Sequence, residues 1–324
     1  MKKALLTLFA ALLCATSATA EVIDGIGYNL YKANGNYAKV TRDYSVSYIG
    51  DIVIPPTVSY KGETYTVIGI ESHAMQDISM VTSLSIPATM TDIETNNNFI
   101  WKNSLESITV ADGNPKYDSR EGCNAIIETS ENKLILGCAN TVIPKGVTVI
   151  RGGAFSYSGL TTAVIPESVT AISEKTFLQC SQLTTVTILG ELSEGIDEDA
   201  FSGCNALTDI YLYTETPPSL DSDAFGEDGI DGITLHVPAA AIETYKENNS
   251  WSRNCESIVA LPAADTTKGD ANGDGKVDVL DVTTTISYIL DPQTAPFNKE
   301  AADMDSDNDI DIDDVKAIVD IILK

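Results

Sequence analysis

The chain is short of histidine and tryptophan, with two of each in 324 residues, and short of positive charge, with 20 Lys and Arg against 47 Asp and Glu. Each shortage narrows what the protein does. A net charge of −27 repels polyanions, which argues against nucleic acid and favours cations or basic surfaces as partners. So few histidines leave little for proton-transfer chemistry, and the motifs of the common hydrolases and metalloenzymes are missing: no G-x-S-x-G, no H-E-x-x-H and no C-x-x-C. The stretch ending Gly275-Lys276-Val277 fails as a phosphate loop, because Asp270 stands at the first glycine and Val277 at the hydroxyl position. Likewise Gly25-Ile26-Gly27 lacks the third glycine of a dinucleotide turn. No catalytic residue is assigned, and the chain is read as a non-enzyme. Paired carboxylates are abundant, but none is singled out for glycoside hydrolysis.

Long apolar runs are equally scarce. Beyond the first twenty residues nothing approaches the eighteen or so needed to span a membrane. Those first twenty do follow an export pattern: Lys2 and Lys3, an apolar run from Ala4 to Leu13, then Ala18 and Ala20 spaced for cleavage before Glu21. Cleavage takes two lysines and no acid from −27, leaving −29. Leu13, rather than a small residue, precedes Cys14, so soluble export is expected, to the medium, the cell surface or the periplasm. Five cysteines then remain (Cys123, Cys138, Cys180, Cys204, Cys255), an odd number and too few for a disulfide framework.

What the sequence does have is repetition. Rows of 22 to 24 residues align from Leu160: LTTAVIPESVTAISEKTFLQCSQ, LTTVTILGELSEGIDEDAFSGCNA and LTDIYLYTETPPSLDSDAFGEDG. The columns Leu160/Leu183/Leu207, Ile165/Ile188/Leu212, Phe177/Phe201/Phe225 and Cys180/Cys204 hold. Earlier rows share them at Ile54-Pro55, Ile86-Pro87, Val110, Ile143-Pro144 and Ala154-Phe155. One row is too short to bury its own apolar side, so stacked rows must share a core, each touching its neighbours: a mainly β solenoid of parallel stacked strands. L-x-x-V-x-I turns alternate residues inward. Cys180 and Cys204 then sit in one interior column, as buried thiols or as a disulfide. The Ile93 to Lys102 stretch is expected to lack the Ala-Phe turn. The face turned outward carries Ser83, Ser107, Thr162, Thr185, Asp209 and Thr234 in one column, and Ser85, Thr109, Val164, Thr187, Tyr211 and His236 in the next. Thr162, Thr185, Thr187, Asp209, Tyr211 and His236 are its candidate ligand-binding residues, for a protein or a glycan. His73 is read as a turn residue of an early coil.

These rows resemble the BspA-type leucine-rich repeat of bacterial surface and secreted proteins over 52–261, best from Val142 to Ala206, with Lys116 to Cys138 as an irregular insert common in that family. Ahead of it, residues 21–51 read as a hairpin cap turning at Asn34-Gly35. Behind it, VPAAAIETYKENNSW reads as a helical cap followed by the strand SIVAL. The resemblance implies a binding role, since the family includes adhesins.

A polar linker, 262–268, leads to a pattern that occurs twice, 33 residues apart. Asp270, Asn272, Asp274, Lys276, Asp278 and Asp281 stand at positions 1, 3, 5, 7, 9 and 12 of a calcium loop, as do Asp303, Asp305, Asp307, Asp309, Asp311 and Asp314. Position 7 uses its backbone carbonyl. Position 6 is Gly275 in the first loop and Asn308 in the second, Asn being the next best residue for a left-handed backbone. Each loop runs into a helical pattern, with Leu280, Ile286, Ile289 and Leu290 as the apolar face of the first and Ile312, Val315, Val319 and Ile322 of the second. From Asp265 to Lys324 there are 15 acids and 5 bases, so two bound Ca²⁺ ions are expected to contribute directly to folding. A solvated acidic tail has no reason to repeat six ligand positions and two helices.

The missing first helix and Asp at position 12 make residues 269–324 resemble the type I dockerin. The resemblance implies a cohesin-like partner, with contacts at loop positions 10 and 11, here Val279, Leu280, Ile312 and Asp313. Two readings follow: a secreted adhesion or binding protein with a calcium-dependent docking module, or a non-catalytic component of an extracellular polysaccharide-degrading assembly. A purely structural role for the calcium is a third.

Overall fold

The protein is described by a computed structural model that covers residues 19–32, 35–94, 99, 101–227, 229–261, 267–273, 276–290 and 297–323. Residues 1–18 of the expected export segment 1–20, Asn34 of the expected hairpin turn, Asp274, Gly275 and residues 262–266 of the expected linker lie outside the described residues.

The repeat folds as the pattern dictates. Strands Thr162–Ile165, Thr185–Ile188, Asp209–Leu212, Thr234–Val237 and Ser257–Ala260 pair in parallel with no slip. Ala163, Val186, Ile210 and Leu235 point inward and are buried, because alternate residues of a strand face opposite sides. Ile150, Ile172, Ile196 and Leu220 form a second, shorter ladder on the other side of the coil. Between the ladders the turn phenylalanines stack: ring centroids lie 5.2 Å apart from Phe155 to Phe177, 5.3 Å to Phe201 and 5.7 Å to Phe225. Cys180 and Cys204 lie in the adjoining column as buried free thiols. Their sulfurs donate to the Phe155 and Phe177 carbonyls of the preceding coil at 3.0 and 3.1 Å.

The N-terminal coils obey the same geometry with different residues. Strands Ile49–Val53, Met80–Ile86 and Ser107–Val110 form their own parallel sheet. Ahead of them Thr19–Ile23, Ile26–Lys32 and Asn36–Val40 form an antiparallel meander, and Asn36–Val40 joins Glu63–Ile70 in parallel. The meander thereby covers the first coil's edge. At the far end, helices Ile242–Glu247 and Asn249–Asn254 bury Tyr245 and Trp251 over the last coils, with the Tyr245 hydroxyl donating to the Thr214 carbonyl and the Trp251 indole to Pro218. A solenoid end left bare would expose core and strand edge.

The Ile93 to Lys102 stretch departs from the Ala-Phe turn, as expected. Phe99 is buried, but its φ is 56° and its N–H donates back to the Met75 carbonyl, whereas the N–H groups of Phe155, Phe177 and Phe201 donate to the following coil.

The Lys116 to Cys138 segment is a hairpin, Ala125–Glu128 with Lys133–Gly137, whose second strand joins the short ladder at Val149–Ile150. It separates two cores. Ala125, Ile127 and Leu134 face the C-terminal one, while Ile126, Ile135 and Leu136 face the N-terminal one. This coil has no phenylalanine turn of its own; the Phe155 ring fills the space, and a Cβ at Gly137 would meet that ring at 2.1 Å. Across the gap Lys102 pairs directly with Ser158. Lys102 is fully buried in the column that holds Cys180 and Cys204 in later coils, and its ammonium donates to the Phe99 and Ser156 carbonyls.

Candidate metal centre and binding face

In the C-terminal module the helices Val279–Leu290 and Ile312–Ile322 pack against each other over a small core of Ala271, Ala302, Ile310 and Ile318. Tyr288 stacks on Phe297 at 3.9 Å beside it. The first helix turns a mixed polar and apolar face inward. Asp281 and Thr285 are buried, and Val282 and Ile289 pack on the core, whereas Leu280, Ile286 and Leu290 are exposed. In the second helix Val315 and Ile318 are buried and Ile322 packs in, but Ile312 is exposed. The buried face of each helix also carries the last acid of its loop, Asp281 or Asp314.

Those two carboxylates organise the loops in the same way. Asp281 accepts from the Asn272 N–H at 3.0 Å and the Asp278 N–H at 2.8 Å. Asp314 accepts from the Met304 N–H at 2.6 Å and the Asp311 N–H at 2.9 Å. Asp270 and Asp303, at position 1, are also buried, and each accepts from N–H groups of its own loop. Asp278 and Asp311, at position 9, accept instead from the first-turn N–H groups of Leu280 and Asp313. Their carboxylates are thus helix caps. The Asp309 side chain is turned to the Ile310 N–H, which suits a position whose carbonyl is the donor.

In the second loop a carboxylate oxygen from each of Asp303, Asp305 and Asp307 falls within 4.8 Å of the others. Desolvation, then the charges of Asp307, Asp314 and Asp303, raises the Asp305 carboxyl above its ordinary range. Crowded hard oxygens with a shortage of positive charge match a divalent cation such as Ca²⁺. Asp303, Asp305, Asp307 and Asp314 would hold it here, and Asp270, Asn272 and Asp281 in the first loop. Asn308 sits at φ 67°, the left-handed conformation that position 6 requires. Sequence reading missed two lysines that clamp this loop from outside. Lys268 donates to the Asp303 carbonyl and, at 3.3 Å, to Ser306, while Lys299 donates to the Asn308 carbonyl at 2.9 Å. Their only sequence signal is a pair of bases among acids, and Lys268 falls within the expected linker.

The expected docking residues Val279, Leu280 and Ile312 are all more than half exposed, and Asp313 pairs with Lys316 at the surface. On the solenoid the outward columns are brought together in register: Thr162, Thr185, Asp209 and Thr234 in one, Val164, Thr187, Tyr211 and His236 in the next. At its C-terminal end Tyr211 stacks on His236 at 4.2 Å, and the His236 Nε2 lies 2.8 Å from the Asp209 carboxylate. This contact holds the Asp209 carboxyl below the usual range. Ser83 and Ser107, and Ser85 and Thr109, align likewise in the N-terminal sheet. His73 occupies a turn at φ 62°.

Residues 134–251 match the BspA type leucine rich repeat region in six copies, and residues 268–323 match the dockerin type I domain. No curated protein matches significantly. Among solved structures, the chain is similar to a leucine-rich repeat protein from Bacteroides ovatus ATCC 8483, at 24% identity and a TM-score of 0.40, over 74% of this chain and 52% of that one. The chain thus spans about half the length of that relative. A leucine rich cell surface protein from Faecalibacterium prausnitzii A2-165 is 20% identical with a TM-score of 0.37, over 75% of this chain and 73% of that one. The pneumococcal vaccine antigen PcpA is 10% identical with a TM-score of 0.29, over 76% of this chain and all of that one.

Proposed function

We propose that this chain, a BspA-type leucine-rich repeat region carried with a type I dockerin, is an exported, non-enzymatic binding protein. Its solenoid takes an extracellular protein or glycan on the outward strand face, with Thr162, Thr185, Thr187, Asp209, Tyr211 and His236 as contacts. Its C-terminal module binds two Ca²⁺ ions and, once folded, docks through Val279, Leu280, Ile312 and Asp313 onto a cohesin-like protein. Dockerin type I domains bind calcium; the count of two rests on the repeated ligand positions. The observation that carries the reading is the pairing in one chain of a flush polar strand ladder with duplicated loops whose first and last acids are buried and aimed at the loop backbone.

Calorimetric titration of the full chain with CaCl₂ is expected to give two ions, and far-ultraviolet circular dichroism to gain helix as they bind. No heat and an unchanged spectrum would remove the metal reading. The dockerin also favours a second role, in which the chain is a non-catalytic part of a polysaccharide-degrading assembly. A pull-down with and without chelator separates the two: calcium-dependent retention of a cohesin-bearing protein from the same cell supports assembly, and binding by the solenoid with the module's calcium removed supports adhesion.

A further inference from the structure

A turn column of the solenoid carries an aromatic pair, an exposed Trp101 against a half-buried Tyr157, that neither the repeat nor the module requires. Trp101 is 46% exposed, and its ring lies 4.4 Å from that of Tyr157. The two come together only because the hairpin coil between them skips the turn, so Lys102 bridges straight to Ser158. Tyr157 sits two residues after its phenylalanine at φ 56°, a left-handed turn position that Gln179 (59°) and Gly203 (75°) fill in the next two coils. The turn therefore does not require a ring, and of these three positions only that of Tyr157 carries one, set against a second aromatic ring.

Along the same column Trp101 is bridged to Asp77, and Asp77 lines an open cleft of about 250 Å³ with Arg42, Tyr44, His73, Gln76 and Met80. At the cleft's mouth Tyr44 is 88% exposed, and the Arg42 guanidinium lies 4.6 Å from its ring centroid while also donating to Gln76. Ring faces therefore alternate with a carboxylate, an amide, a guanidinium and an imidazole. π-faces are electronegative and attract polarised C–H groups, and these polar side chains both donate and accept. Such a set suits a pyranose, whose C–H face is flat and whose rim is hydroxyl. Asp43 and Asp77 at the cleft, on a chain of net charge −27, disfavour an acidic sugar.

The geometry points to a glycan-binding site formed by Trp101, Tyr157 and the Arg42–Asp77 cleft, taking a neutral polysaccharide chain. It shares no residue with the proposed strand-face contacts from Thr162 to His236, so substitutions test the two sites separately. The test is affinity electrophoresis of the full chain through gels holding xylan, mannan, mixed-linkage β-glucan or starch, with polygalacturonate as the acidic control. Iodide quenching accompanies it, since Trp251 is fully buried and the other of the two tryptophans, Trp101, is the one accessible. At least one neutral polysaccharide is expected to retard the chain and shield Trp101. Trp101→Ala and Tyr157→Gly should each weaken retention at least tenfold, the latter in a chain at least as stable because its backbone strain is relieved. No retardation by any neutral polysaccharide overturns the proposal, as does retention by polygalacturonate alone. So does retention lost in Tyr211→Ala but unchanged in Trp101→Ala, which leaves the strand face standing. Shielding of Trp101 by poly-L-proline with none from the polysaccharides assigns the pair to protein ligands and equally overturns it.

Discussion

Lys102 shows how one residue answers to its column rather than to its own chemistry. It occupies the interior place that Cys180 and Cys204 fill elsewhere, and burial drives its ammonium down to about 7, the nearby thiols of Cys180 and Cys138 opposing and Arg151 adding to the fall. An unfolded lysine titrates near 10.4. Between these values the unfolded chain holds the extra proton, so stability rises with pH through that window, and below it the whole cost of burying the charge is present. Thermal unfolding from pH 7 to 8.5 should show a slope that is more positive in the native chain than in Lys102→Met, the comparison cancelling the unfolded cysteine thiols that begin to ionise in this range. Equal slopes would mean that the ammonium is not buried in solution. Burial also raises Cys123 to about 11 and Cys255 to about 12, so neither is a thiolate at neutral pH.

Among elements, the phenylalanine column and the second calcium loop make contrasting predictions. Phe177 is fully buried between Phe155 and Phe201, so Phe177→Ala leaves a cavity no neighbour can close and should cost about 3–5 kcal/mol in urea unfolding. Asn308 at φ 67° already bears the turn. Asn308→Gly should therefore tighten the second calcium site severalfold, and Asn308→Val, whose branched Cβ resists that backbone, should weaken it by tenfold or more. Calorimetry on the full chain reads both, and matching affinities in the two variants would exclude a left-handed residue at position 6. The helix faces show what periodicity leaves open. Leu280, Ile286 and Leu290 are exposed, and the inward side is held by Asp281, which accepts from the Asn272 and Asp278 N–H groups of its own loop.

At the scale of the molecule the hairpin Ala125–Glu128 with Lys133–Gly137 decides whether the solenoid is one cooperative body. Its adjacent residues Ile126 and Ile127 serve opposite cores. Coils that touch only neighbours unfold together when the interface between them is strong. Ile126→Ala and Ile127→Ala should each cost about 2–5 kcal/mol and move a single solenoid transition by similar amounts. Two separated transitions, one shifted per variant, would show the hairpin to be a boundary rather than a joint.

The row length, the inward columns and the six repeated oxygen positions were determined by the sequence alone, because a strand's two-residue period and a calcium loop's spacing are local and leave their mark at fixed intervals. The burial of Phe99 escaped that reading because its backbone differs from that of the repeat phenylalanines, so no interval marks it. The meeting of Trp101 with Tyr157, the burial of Lys102, the caps made by Asp278 and Asp311 and the lysine clamp on the second loop were decided by tertiary structure. Each joins residues through a skipped coil or a turned helix, and no interval along the chain encodes a distance across it.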